Sequence, residues 1–185
     1  MAEASLFLPH WTDFYVIVGS SAGALTGLQF VTIALIAEAE AVRSMNEIRA
    51  FGTPTIVHFC VTLLISAIIA APWNSLVGTA ACLAICGAGG VVYSLRVVRH
   101  ARAQTGYAPD NEDWFWYAIL PLFAYSLLLA ASIALVWTPV LSMFLVAATA
   151  LTLLFDGIHN AWDTVTYVAV QRWPSTQQNT QENQK

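Results

Sequence analysis

Hydrophobic residues run along this chain in five long blocks with short polar interruptions, at about 14–37, 54–72, 75–98, 114–137 and 139–163. Roughly 20 apolar residues is the length an α-helix needs to cross the hydrocarbon of a bilayer. The pattern therefore predicts an all-α fold, an integral membrane bundle of five transmembrane helices. Asp13 suits the N-cap of the first span, and Thr53-Pro54 the start of the second. Pro72-Trp73 ends the second, Asn74-Ser75 caps the third, and Thr138-Pro139 restarts the chain at once after Trp137, so two antiparallel hairpins are expected. Asp110, Asn111, Glu112 and Asp113 precede the fourth span, where acidic residues favour a helix N-terminus. The last helix is expected to run past the membrane to about residue 171, and the Gln- and Asn-rich tail 174–185 to be disordered. The loops leave no room for a second unit, so residues 1–173 read as a single domain. Five spans do not divide into equal inverted halves.

Charge orients this bundle. All Lys and Arg residues follow the first, third or fifth block: Arg43 and Arg49, then Arg96, Arg99 and Arg102, then Arg172 and Lys185. Short loops rich in Lys and Arg stay in the cytoplasm. The N-terminus is thus expected outside and the C-terminus inside, in a bacterial-type cytoplasmic membrane. Trp11, Trp73 and Trp137 fall at the expected outer boundaries, and Trp114, Trp116, Trp162 and Trp173 at or near the inner ones, as amphipathic indoles prefer. The chain is 58% hydrophobic and 10% charged. With a mean hydropathy of +0.65, it belongs in the lipid bilayer and not among soluble domains. A net charge of −4 without a basic stripe argues against nucleic acid as a partner. Residues 1–11 lack the basic, cleavable character of a signal peptide, so a retained first helix is expected. Cys60, Cys82 and Cys86 all lie within spans, which makes a disulfide framework improbable.

Candidate chemistry concentrates in two of the blocks. The fifth carries Asp156-Gly-Ile-His159-Asn160-Ala-Trp-Asp163, whose spacing of three, four and seven places four polar residues on one helical face. Thr149 and Ser142 extend that stripe backward in steps of seven. The second block has a matching stripe of Thr55, His58, Thr62 and Ser66. At 1.5 Å per residue, His58 lies about 6 Å past the inner start of its span and Asp156 about 25 Å from the outer start of its own. Gln29, Glu38 and Arg96 reach the same inner layer. His58 and Asp156 are therefore expected to pair, with a pH sensitivity that replacing His58 with Gln removes. An Asp near mid-membrane costs roughly 2.5–3.5 kcal/mol on insertion scales, so such residues face protein or water.

Three readings of this layer follow. The groups hold the bundle together by interhelical hydrogen bonds with no ligand, as in an accessory subunit. Alternatively Asp156, Asp163, His58, His159, Asn160, Thr62, Ser66, Thr149, Ser142 and Gln29 form a pathway for protons or small cations, which is the leading expectation. In the third reading His58, His159, Asp156 and Asp163 bind a divalent metal as mixed nitrogen and oxygen ligands, in a metal-dependent or redox enzyme acting on a lipid-soluble substrate. No H-E-x-x-H spacing and no heme or iron–sulfur signature is present, and the absence of a metal cofactor is favoured. Gly19, Gly23 and Gly27 at four-residue steps form a flat ridge for close helix packing. Ala80, Ala84 and Ala88 of the third block are the expected intrachain partner, and a homo-oligomer seam is the alternative. Tyr117, Pro121 and Tyr125 mark one face of the fourth block, and Gly87, Gly89 and Gly90 lack the context of a phosphate loop.

Overall fold

The computed structural model describes residues 8–38, 45–103 and 111–182, and among them all regular structure is helical. A short 3-10 turn, Leu8–Trp11, leads into α1, Thr12–Glu38. The helices α2, Met45–Ala70, and α3, Leu76–Ala103, form the first hairpin. A single turn α4, Asn111–Trp114, passes through a π-helical turn, Phe115–Ile119, into α5, Leu120–Ala134. The last helix, α6, spans Pro139–Glu182. Five helical segments are long and apolar enough to cross a membrane. Large apolar side chains such as Ile17, Phe30, Ile85, Phe123, Phe144 and Phe155 point outward. A water-soluble monomer does not carry so continuous an apolar coat, and the chain reads as a multi-pass membrane protein.

Local chemistry explains the turns. The Trp73 indole N–H folds back onto the carbonyl of Ile68, and Ser75 Oγ accepts from the Val77 N–H at 3.2 Å, closing one helix and opening the next. At the second turn the Thr138 hydroxyl donates back to the Ala134 carbonyl at 3.2 Å and lies 3.3 Å from that of Ser142. The π-turn sits immediately before Pro121. Proline has no N–H for the carbonyl four residues earlier and its ring crowds that turn, and the wider turn accommodates the defect, with the Leu120 N–H reaching back to the Phe115 carbonyl.

Three expected boundaries move. α2 begins at Met45, so Thr53-Pro54 is not its start and Pro54 lies inside the helix. The segment ahead of Pro54 is polar, and only Thr53–Ala70 is apolar enough to span. α6 continues through Pro174 to Glu182, where an end near residue 171 and a disordered tail were expected. Extending an existing helix avoids the nucleation penalty that a separate polar segment faces. α1 opens at Thr12, with Asp13 inside its first turn. The basic residue Arg43 and Lys185 lie outside the described residues.

Neighbour order is not chain order. α1 packs on α2, α2 on α6, α6 on α5 and α5 on α3, which places α6 at the middle of the bundle with α2 and α5 beside it. The expected pairing of the α1 glycine ridge with the α3 alanines is therefore wrong: α1 and α3 stand at opposite ends of this order. A Cβ on Gly19 would lie 2.7 Å from Cβ of Ser66 on α2, whereas one on Gly27 would meet nothing within 4 Å. Gly19→Val is thus expected to cost about 1–3 kcal/mol of stability by overpacking and Gly27→Val close to none, as thermal unfolding in detergent would show. Equal losses at both positions would overturn the assignment. On the other side, α3 reaches α5 through its own glycines, with a Cβ on Gly87 falling 2.8 Å from the Leu129 backbone N and one on Gly90 falling inside the Tyr125 ring.

Candidate functional site

The two polar stripes meet because α2 and α6 are neighbours. Thr55, His58, Thr62 and Ser66 of α2 and Ser142, Thr149, Asp156 and Asn160 of α6 are all buried. Close approach is set one residue beyond the pair that matters: a Cβ on Gly157 would lie 2.9 Å from Cδ1 of Phe59. With no side chain there, the helices come together and His58 Nε2 stands 3.3 Å from Asp156 Oδ2. The other imidazole nitrogen, Nδ1, is 2.9 Å from the hydroxyl of Tyr125 on α5. Asn160 donates its amide to Asp156 Oδ2 at 3.4 Å. Asp156, Tyr125 and Asn160 are 0% exposed and His58 is 1% exposed. A carboxylate, an imidazole and a phenol thus form one side-chain chain across three helices, away from lipid and bulk water.

The hydroxyls of the stripes behave differently. Thr62 donates to the His58 carbonyl at 2.9 Å, Ser66 to the Thr62 carbonyl at 2.9 Å, and Thr149 to the Leu145 carbonyl at 2.9 Å. Each satisfies itself within its own helix, one turn back, as such residues do in apolar surroundings. Thr62 adds a 3.5 Å contact to the Ala150 carbonyl of α6. Gln29 is buried on α1 with its Nε2 unpartnered. These residues line the interface without extending the chain of titratable groups.

His159 and Asp163 lie on the rim of the site. His159 Nδ1 is 3.2 Å from Asp163 Oδ2, and their side chains are 27% and 45% exposed. The His159 ring stacks on Trp116 of the π-turn, with centroids 3.8 Å apart and planes 11° from parallel. The four candidate metal ligands are consequently split into two pairs, one buried and one at the rim. Among the described residues no three His, Cys, Asp or Glu side chains converge as a metal site requires.

No protein-family model matches the chain, and no curated protein or solved structure matches it. The chemistry must therefore come from the geometry. Tyr125 enters as part of the site, where the sequence suggested only a helix face. Gly90 and Gly157 enter as the positions that admit its ring and the α2–α6 contact. Signals did exist: Gly157 adjoins Asp156, and Gly87 and Gly90 share a face of α3 three residues apart. Gly90 lies against the Tyr125 ring, so α3 borders the site through this face.

Proposed function

We propose that this protein is a proton-handling transport protein, and that the buried Asp156–His58–Tyr125 chain is its relay. The observation that carries this reading is that both imidazole nitrogens have partners that exchange protons. With the Tyr125 O–H donating to Nδ1, neutral His58 carries its proton on Nε2 and donates to the Asp156 carboxylate. When the Tyr125 proton passes to Nδ1, the Nε2 proton passes to the Asp156 carboxylate, and the phenolate left behind takes up the next proton; the reverse sequence carries a proton from Asp156 to Tyr125. One proton is thereby handed across the ring between α6 and α5 with no rearrangement of the helices. Intramembrane ionisable groups arranged in this manner are the usual material of proton relays. Small alkali cations, which take several oxygen ligands, have fewer suitable groups here.

The rest of the proposal is orientation and assembly. Arg96, Arg99 and Arg102 toward the end of α3, with Arg172 of α6, support an N-terminus outside and a C-terminus in the cytoplasm of a bacterial-type membrane. Arg102 also lies over the Trp114 ring, 5.6 Å from its centroid, an arrangement suited to the headgroup region. A homo-oligomer belongs to the proposal too, because five helices closed around side chains enclose no wide pore. A cysteine placed at the N-terminus should react with an impermeant thiol reagent on intact cells, and one at the C-terminus only after permeabilisation. The reverse would overturn the orientation. Purified protein in liposomes should dissipate a pH gradient, and Asp156→Asn should lower that flux about 100-fold, within the range of a positioned proton-transfer group. An unchanged flux in Asp156→Asn would remove the relay.

A further inference from the structure

We propose that the His159–Asp163 pair, held flat against Trp116, is the mouth through which protons reach the buried relay, and that the carried species is a hydrogen-bond-donating cation, hydronium, in preference to an alkali metal ion. The inference rests on the relay reading and adds its entrance. Its basis is the change of exposure along little more than two turns of α6. Asp156 and Asn160 are fully buried, His159 is about a quarter exposed, and Asp163 is close to half exposed. Residues three and four apart on a helix are neighbours, with Cβ atoms about 5–6 Å apart, so these four form a stair from the surface to the relay.

Three buried unpartnered atoms lie on these turns of α6. Asp156 Oδ1 and Asn160 Oδ1 are buried without a hydrogen-bond partner, and His159 Nδ1, though close to Asp163, lacks the alignment of a hydrogen bond. More than nine-tenths of buried polar groups in proteins are paired, so two orphan acceptor oxygens on adjacent turns are suited to a ligand that donates. Asn160 is already tied through its amide to Asp156 Oδ2, which leaves its carbonyl oxygen beside the free carboxylate oxygen. Two such acceptors take two of the three donors of hydronium, whereas a hard metal ion would need several more oxygens than these side chains supply.

Trp116 gives the mouth its geometry. Its indole covers one face of the His159 ring, and the half-exposed Asp163 carboxylate stands at the buried Nδ1 edge. The groups around His159 are thus Asp163 on α6 and Trp116 on the π-turn. The stack also holds the ring against the π-turn. The π-turn ahead of Pro121 is what offers Trp116 to α6, which assigns a role to that irregularity.

The test uses the whole protein in liposomes with a pH-sensitive dye inside. His159→Gln is expected to slow proton flux about tenfold, less than loss of a relay group because water can still protonate the site. Imidazole in the external buffer should restore much of the rate in His159→Gln and none in Asp156→Asn. Sodium and potassium gradients should produce no matching cation flux in either protein. Wild-type flux that His159→Gln leaves untouched would overturn the mouth while the relay stands, provided Asp156→Asn still blocks it. Loss of wild-type flux altogether overturns both. Should His159→Gln fold poorly, Asp163→Asn with Trp116→Phe reads the same feature: a normal rate in that double variant counts against the mouth, and a slowed rate rescued by imidazole supports it.

Discussion

His58→Leu is expected to destabilise the folded protein by about 3–5 kcal/mol, because it leaves Asp156 buried without its partner. The Asp156 carboxylate then keeps one amide contact from Asn160 and nothing else. Adding Asp156→Leu to that variant is expected to return most of the lost stability, since replacing both partners of a buried hydrogen bond by apolar groups of similar shape can be nearly neutral or stabilising. Proton flux should stay absent in the double variant. Thermal unfolding in detergent and dye-loaded liposomes measure the two quantities separately. If the pair existed only to hold α2 against α6, the double variant would be the less stable protein. Recovery of stability without recovery of flux is the result that assigns the pair to function. The hydroxyls of the stripes are a poor alternative anchor, because interhelical polar contacts in membranes average only about 0.6 kcal/mol and these bond mainly within their own helices.

Gly90→Ala should produce the second large effect. A Cβ there would occupy the Tyr125 ring, so either α3 moves away from α5 or the ring moves away from His58. Overpacking of this kind costs about 1–3 kcal/mol, and displacing the ring also lengthens the 2.9 Å contact between the phenol and Nδ1. Both the unfolding temperature and the flux are expected to fall. Tyr125→Ala alone should lower the flux as well, through loss of the phenol. Combining Gly90→Ala with Tyr125→Ala should cost less stability than the sum of the two, since the new methyl then enters the space the ring vacates. Additive losses would show that Gly90 does not act through Tyr125.

Much of the site was legible before any helix was placed. Three- and four-residue spacing put His58 on one face of its helix and Asp156 with Asn160 on one face of another, and the cost of exposing them to lipid required both faces to turn inward. The difference between Asp156 and its companions was not legible. On a helical wheel Asp163 is almost in line with Asp156, but two turns nearer the helix end, while His159 sits about 60° to one side. The neighbours decide that one is fully buried and the others form a rim. Tyr125 was hidden for a different reason. Its helix is apolar, and a phenol there reads as packing until α5 is known to lie beside α6, with the hydroxyl facing α2.

The sequence by itself determined five apolar helices, their approximate ends and the asymmetric distribution of Lys and Arg. These follow from terms that each residue contributes alone or with its helical neighbours: transfer from water to hydrocarbon, backbone pairing within the segment, and proline or polar interruptions. Only the tertiary structure decided that α6 is central with α2 and α5 beside it, that α1 docks on Ser66 and not on the α3 alanines, and that Tyr125 reaches His58. Helix order depends on the fit between surfaces distant in sequence, such as Gly157 against Phe59 and Gly90 against Tyr125. A glycine in isolation carries no record of the ring that will lie against it.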